Sequence, residues 1–175
     1  MPQAHATTPR WLRLLRHRWW DDADVRRALP AEALARVQAR VSASERHHSG
    51  EIRVVVEAGL PMSYLWQRLS ARQRAVTLFG KLRVWDTEHN NGVLVYLLLA
   101  ERAIEIVADR GLVRRVPAAE FEALVAAMRE AFRAGRFEPG LLTTVDRLDA
   151  LLRQHFPLAE GEANPNELPD APTVL

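Results

Sequence analysis

Seven consecutive apolar residues, Val93 to Leu99, follow the polar loop Asp86 to Gly92 and form the most hydrophobic run of the chain. The run is far shorter than the roughly 20 residues that a membrane-crossing helix needs. Its β-branched and aromatic members, with the Asn91-Gly92 turn signal before them, predict a strand. Val93, Val95, Leu97 and Leu99 form one alternating set, and Leu94, Tyr96 and Leu98 form the other. Both sets are apolar, so this strand belongs in mid-sheet with a cover on each face.

The rest of the chain supplies neighbours and covers. Glu51 to Glu57 reads as an earlier strand, with Ile52, Val54 and Val56 on one side and Glu51, Arg53, Val55 and Glu57 on the other. Ala103 to Ala108 reads as a third strand. Helical spacing predicts a helix over about 31–47, opened by Pro30 and carrying Leu34, Val37 and Val41. A single helix is predicted over about 63–82, with Tyr64, Leu65, Leu69, Arg72, Val76 and Phe79 along one face. Two more follow over about 118–134 and 141–155, the first ended by Gly135 and the second by Pro157.

A long helical crossover joins the first two strands, which predicts a parallel pair with a right-handed connection. The short link Ala100-Glu101-Arg102 makes the second and third strands an antiparallel hairpin. The expected fold class is therefore α/β, a three-layer α/β/α sandwich around a small mixed sheet. Its expected organisation is a basic aromatic segment over 1–29, one domain over 30–157 and a flexible tail over 158–175, with 1–9 as a disordered leader.

Composition narrows the function classes. Of 175 residues, 48% are apolar and 26% charged, the balance of a globular domain with a real core. The formal charge of +2 is too small to argue nucleic-acid binding for the whole domain. The pI of 9.6 reflects arginine, since Lys81 is the sole lysine. Without cysteine there are neither disulfides nor thiolate zinc sites. No secretory signal or spanning segment stands out, so a cytoplasmic location, with peripheral membrane attachment as a variant of it, is the default expectation.

The segment Arg10 to Trp20 is basic and carries Trp11, Trp19 and Trp20. On a helix Trp11, Leu12, Leu15 and Trp19 share a face, with Leu14 at its border. That stripe suits either an anionic membrane surface or docking onto the domain. The docking reading is preferred here, because short amphipathic segments are common in globular folds. His47 and His48, at the end of their helix, read as capping or surface residues rather than metal ligands.

Strand directions localise a site. The start of the first strand, the start of the second and the end of the third should meet at one sheet edge. That edge gathers Glu51, Asp86, Glu88, Asn90, Asn91 and Asp109, all oxygen bearers of the kind that hard cations such as Ca2+ or Mg2+ take. The candidate metal ligands are Asp86, Asn90, Asn91 and Asp109; Glu51 and Glu88 are candidate ligands or water-activating bases, and Arg110 a candidate phosphate grip. Turn formation before a strand and helix capping by Asp109 explain the same residues without a metal.

Ser49-Gly50-Glu51-Ile52-Arg53-Val54-Val55-Val56, Asn91-Gly92-Val93-Leu94-Val95-Tyr96 and Ile104 to Leu112 resemble the TPM domain family. Phe132-Arg133-Ala134-Gly135-Arg136-Phe137 and Gly140-Leu141 resemble its closing helices, so the similarity covers about 31–157 in the family's motif order. The resemblance implies an α/β sandwich, a divalent-cation site on the loop edge and, as in some members, acid phosphatase activity. Where many members have Asp-Asn-Gly this chain has Asn90-Asn91-Gly92, and where many have Gly-Tyr-Gly-Leu-Glu it has Asp109-Arg110-Gly111-Leu112-Val113. Many members sit behind an N-terminal signal or anchor, so this chain resembles a soluble or peripheral branch.

Two functions follow. One is a non-enzymatic interaction module for a protein or membrane-associated partner, with the loop-edge cation as an accessory and an anionic membrane contact through Trp11, Trp19 and Trp20. The other is metal-assisted hydrolysis of phosphomonoesters. The module is preferred, since the amide at Asn90 lowers the charge offered to a cation and no acid/base pair or nucleophile elbow is identifiable.

Overall fold

A computed structural model describes residues 10–159, 161–164 and 166–175; the leader expected over 1–9 lies outside the described residues. The elements run α1 (Arg10–Trp19), α2 (Asp22–Ala28), α3 (Ala31–Ser44), β1 (Ile52–Glu57), α4 (Met62–Trp66), α5 (Ala71–Lys81), β2 (Val93–Leu98), β3 (Ala103–Ala108), α6 (Arg110–Val113), α7 (Ala118–Arg133), α8 (Phe137–His155) and β4 (Thr173–Val174). The sheet order is β3-β2-β1-β4. β1 pairs in parallel with β2 and with β4, while β2 and β3 are antiparallel. This is the α/β sandwich with a mixed sheet that the strand patterns predict.

Every residue of β2 is buried. Its odd-numbered side chains join Ile52, Val54 and Val56 in a core closed by Val25 and Leu29 of the α2 region, Val37 and Val41 of α3, Leu124 and Met128 of α7, and Leu141, Val145 and Leu148 of α8. Its even-numbered ones join Val55 and Val107 in a second core, closed by Leu65 of α4 and Ala71, Ala75 and Leu78 of α5. The two-residue period of a strand divides one apolar run between two cores. On the first side α8 comes close to α7 at Gly140, where a Cβ would lie 2.9 Å from the Ala131 side chain.

The second core contains charge. Glu57 accepts two bonds from Arg74, Nε at 2.9 Å and Nη2 at 2.6 Å, and one from the Tyr96 hydroxyl at 2.6 Å. All three residues are buried. The Arg74 guanidinium also stands 5.0 Å from the Tyr64 ring centroid. The short helical layer is thereby bolted to both parallel strands by a satisfied network rather than by apolar contact alone.

Four expectations need correction. The helix expected over 63–82 is broken: α4 ends at Trp66, Arg68 adopts a φ of 54°, and Ser70 and Gln73 form a reciprocal capping box that restarts the chain as α5. The tail expected to be flexible lies along β1, which becomes an internal strand. Leu175 N–H donates to Val56 O at 2.9 Å, Ala58 N–H to Leu175 O at 3.0 Å, and the Arg53 guanidinium bonds Pro169 O, Ala171 O and Thr173 Oγ1. His48 is fully buried, not on the surface; its Nδ1 lies 3.0 Å from Gly50 O, and burial pushes its pKa down to about 4.

The fourth correction concerns α1. Its aromatic stripe does not dock: Trp11 is 61% exposed and Trp19 80%, with Leu12 and Leu15 also exposed. The opposite side docks instead. Arg13 donates to Glu101 Oε1 at 2.7 Å and to Leu69 O at 2.7 Å. The buried His17 lies 2.8 Å from the same carboxylate oxygen and accepts from Leu60 N–H at 2.9 Å. Burial raises the Glu101 pKa, but hydrogen bonds from His17 and Arg13 outweigh it and hold the carboxyl below its ordinary range. Trp20, just past α1, packs against the first core. No helix among the described residues is long and apolar enough to cross a membrane.

Two substitutions test this packing. Leu97→Ala should cost about 2–5 kcal/mol by urea denaturation, since it leaves a cavity in the first core. Arg74→Ala should cost about 3–5 kcal/mol by stranding the buried Glu57 carboxylate, and Arg74→Met with Glu57→Met should recover much of that loss.

Candidate functional site

The strand registers set the starts of β1 and β2 beside the end of β3: Ile52 is level with Val93, and Val93 with Ala108. Val93 N–H donates to Glu51 O at 2.8 Å and Asp109 N–H to Gly92 O at 2.9 Å. Gly111 N–H donates to Asn90 O at 2.9 Å, closing the third loop onto the second. Two glycines are sterically required at this edge. A Cβ at Gly92 would fall 1.9 Å from Val84 O, and one at Gly111 would fall 2.5 Å from Asn90 O.

Asn91 and Asp109 are both buried here. Asn91 N–H donates to Thr87 Oγ1 at 3.1 Å, and its Nδ2 to Ser49 Oγ at 3.2 Å. Asp109 caps α6 by accepting from Arg110 N–H at 2.6 Å through Oδ1. That leaves Asn91 Oδ1 and Asp109 Oδ2 as buried acceptors without a hydrogen-bond partner among the described residues. Asn90 contributes backbone, held at a φ of 53° so that its carbonyl meets Gly111.

The remaining candidates are placed differently. Asp86 is exposed and paired with Arg83. Glu88 is exposed, and its N–H donates to Glu167 Oε2 at 3.3 Å. Arg110 is exposed, with Nε 3.9 Å from Asp109 Oδ1. Glu51 is fully buried at the same edge but committed to the C-terminal segment: Oε1 accepts from Glu167 N–H and Oε2 from Leu168 N–H, each at 3.2 Å.

Ser49, Thr87, Glu167 and Leu168 were not among the sequence-derived candidates. Ser49 and Thr87 carry no periodic signal, and residues 167–168 meet Glu51 only through a contact spanning more than a hundred residues. Beneath Glu51 lies Glu45, whose Oε1 accepts from Ile52 N–H at 3.1 Å. Burial pushes Glu45 up to about 9, and Ile52 N–H opposes this only in part. Burial likewise pushes Glu51 up to about 7, against the two backbone donors and with Glu167 and Asp170 adding repulsion.

Two of the candidate oxygens are of the donor type that a hard cation takes. A buried amide oxygen and a buried carboxylate oxygen, both unpaired, are what Ca2+ or Mg2+ would engage. Asp86, turned to Arg83, does not add to them. Among the described residues no three His, Cys, Asp or Glu side chains form a metal-holding group.

The raised carboxyls give a pH prediction. Glu51 has a folded pKa of about 7 against an ordinary 4.5, so the folded state holds this proton more tightly than the unfolded chain. Its stabilising contribution is complete below pH 4.5 and lost as pH rises through 7. Urea titrations should therefore show Glu51→Gln gaining on the unsubstituted protein across that interval and levelling off above it. A pH-independent difference would refute the assignment.

The sequence profile of the TPM domain matches residues 23–151. The solution structure of BA42 protein from the psychrophilic bacterium Bizionia argentinensis is similar, with a TM-score of 0.72 and 25% identity over 84% of this chain and 95% of that one. A second solution structure, the N-terminal domain of a protein from P. gingivalis, shares the fold at a TM-score of 0.58 and 21% identity, covering 74% of this chain and 82% of that one. No curated protein sequence matches the chain. The profile match runs from α2 into α8 and takes in β1, β2 and β3, and the chain belongs to the TPM domain family.

Proposed function

We propose that this TPM domain is a binding module that lies on anionic membrane surfaces through α1, with a divalent cation as an accessory at the loop edge. The observation that carries the reading is the outward aromatic face of α1. At about 100° per residue, Trp11, Leu12, Leu15 and Trp19 fall within one quadrant or so of the helix, and Arg16 and Arg18 flank it on either side. Arg13 and His17 stand roughly opposite, where they anchor the helix to Glu101. Tryptophan at headgroup level with arginine toward lipid phosphate is the arrangement of an interfacial helix. The helix contains no acidic residue.

Asn91 and Asp109 would hold the cation, which would supply positive charge to the exposed loops beside Arg110. A hydrolase needs a group poised to activate water. Glu51 is spent on the backbone of residues 167–168, and Glu88 lies at the surface with its carboxylate unpaired by any hydrogen bond among the described residues. Phosphomonoester hydrolysis therefore remains the weaker reading.

Co-sedimentation with phosphatidylglycerol vesicles should retain the protein at low salt and release it as salt rises. Phosphatidylcholine vesicles should not retain it, and Trp11→Ala with Trp19→Ala should abolish retention without lowering the melting temperature. Equal binding to both vesicles, or a paired dimer in place of binding, would refute the membrane reading. In a separate titration Ca2+ should raise the melting temperature of the unsubstituted protein and leave Asp109→Asn unmoved. Cation-dependent turnover of p-nitrophenyl phosphate, lost in Glu88→Gln or Asp109→Asn, would establish the hydrolase instead.

A further inference from the structure

A cavity of about 640 Å³ opens at the other end of the sheet, away from the loop edge. It lies between the β2–β3 connection and the junction of α7 with α8. Its floor is Leu97 and Leu99, both buried members of the first core. Its wall is Phe132 and Phe137, whose ring centroids are 4.8 Å apart at 57°, and Trp20 closes one side. The volume falls in the range of small-ligand sites, about 300–1,000 Å³, and the apolar lining with a few polar groups is typical of them.

The charge at this cavity is one-sided. Arg102 and Arg129 line it from exposed positions, and neither guanidinium has a hydrogen bond or ion pair among the described residues. Glu101, the acidic residue of the lining, is engaged by Arg13 at 2.7 Å and His17 at 2.8 Å. Arg133 is paired with Glu130 at 2.5 Å. Two free arginines therefore stand over an aliphatic and aromatic hollow whose own carboxylate is already neutralised.

We propose that this cavity binds a small amphipathic anion, a carboxylate or phosphate head on an aliphatic body. The body occupies the space over Leu97, Leu99, Phe132 and Phe137, and the head is held by Arg102 and Arg129. Burying a chain there removes apolar surface of both partners from water, and arginine supplies charge-assisted bonds to an oxyanion. Neither half of such a ligand satisfies the site alone. The inference stands apart from the membrane reading, which concerns the outer face of α1.

Decanoate below its micellar concentration is a suitable probe, titrated into the protein and followed by amide and indole NMR shifts. Saturable shifts should cluster on Leu97–Ala103, Phe132–Phe137 and the Trp20 indole. Decanol, which lacks the head, and inorganic phosphate, which lacks the body, should each bind at least about tenfold more weakly. Arg102→Gln with Arg129→Gln, both at exposed positions, should weaken decanoate by about tenfold or more with the spectrum otherwise unchanged. Arg16→Gln with Arg18→Gln should leave its affinity unaltered. Shifts spread along α1, equal affinity for decanol, or an unaffected Arg102/Arg129 variant would each overturn the proposal. Vesicle retention by α1 is read with different residues, so either proposal can fail without the other.

Discussion

Everything in this molecule answers to the two-sided burial of β2. A strand with no polar face cannot rest against water on either side, so helices must be found for both. The chain finds a thick cover of α2, α3, α7 and α8 on one face and a thin one of α4 and α5 on the other. The thin cover offers Leu65, Ala71, Ala75 and Leu78, where the thick one draws buried apolar side chains from four helices. The Glu57–Arg74–Tyr96 network lies on that thinner side. Its value is geometric: a bidentate pair fixes the direction of α5 over β1 and β2 in a way that apolar packing does not.

The sheet edges are handled with equal economy. β3 is an outer strand, and Arg72 of α5 reaches over it to donate to Ile106 O at 2.6 Å, occupying a carbonyl that another strand would seek. The other side of β1 is taken by the C-terminal residues, which spend Arg53 and the Glu51 carboxyl on holding an otherwise weakly apolar segment in place. A carboxyl that looks available for chemistry in the sequence is thus a clasp for the tail. Burial raises its pKa to about 7, so the clasp gives up its proton only near neutral pH.

The proposed functions divide between the two ends of the sheet. The loop edge holds the paired glycines, Asn91 and Asp109. The opposite end, where β2 turns into β3, holds Glu101, which anchors α1, and the cavity beneath Arg102 and Arg129. The hairpin turn therefore links the amphipathic helix and the cavity through adjacent residues, Glu101 and Arg102. Lipid surface and amphipathic anion are chemically related, and the two proposed activities share one end of the molecule.

Periodicity in the sequence determined the three main strands, their pairing and the helices over 31–47, 118–134 and 141–155. A run apolar in both alternating sets has to be central, a helical crossover has to join parallel strands, and a three-residue link has to make a hairpin; the meeting of three loops at one edge follows from those directions. The break at Ser70 and Gln73 was missed, because the apolar stripe running through it predicted one helix and only the structure shows the capping box. For α1, tertiary structure alone decided which side faces in. The aromatic stripe of α1 is as hydrophobic as a core face, yet Arg13 and His17 find Glu101 and backbone partners on the domain, and the stripe is left outside. Glu51 turns to residues 167–168 rather than to Asp109, His48 sinks beneath the sheet edge, and a tail poor in apolar residues becomes β4. Each of these is a hydrogen bond or burial between residues far apart in the chain, and local pattern carries no information about which distant donor a carboxylate or a carbonyl will meet.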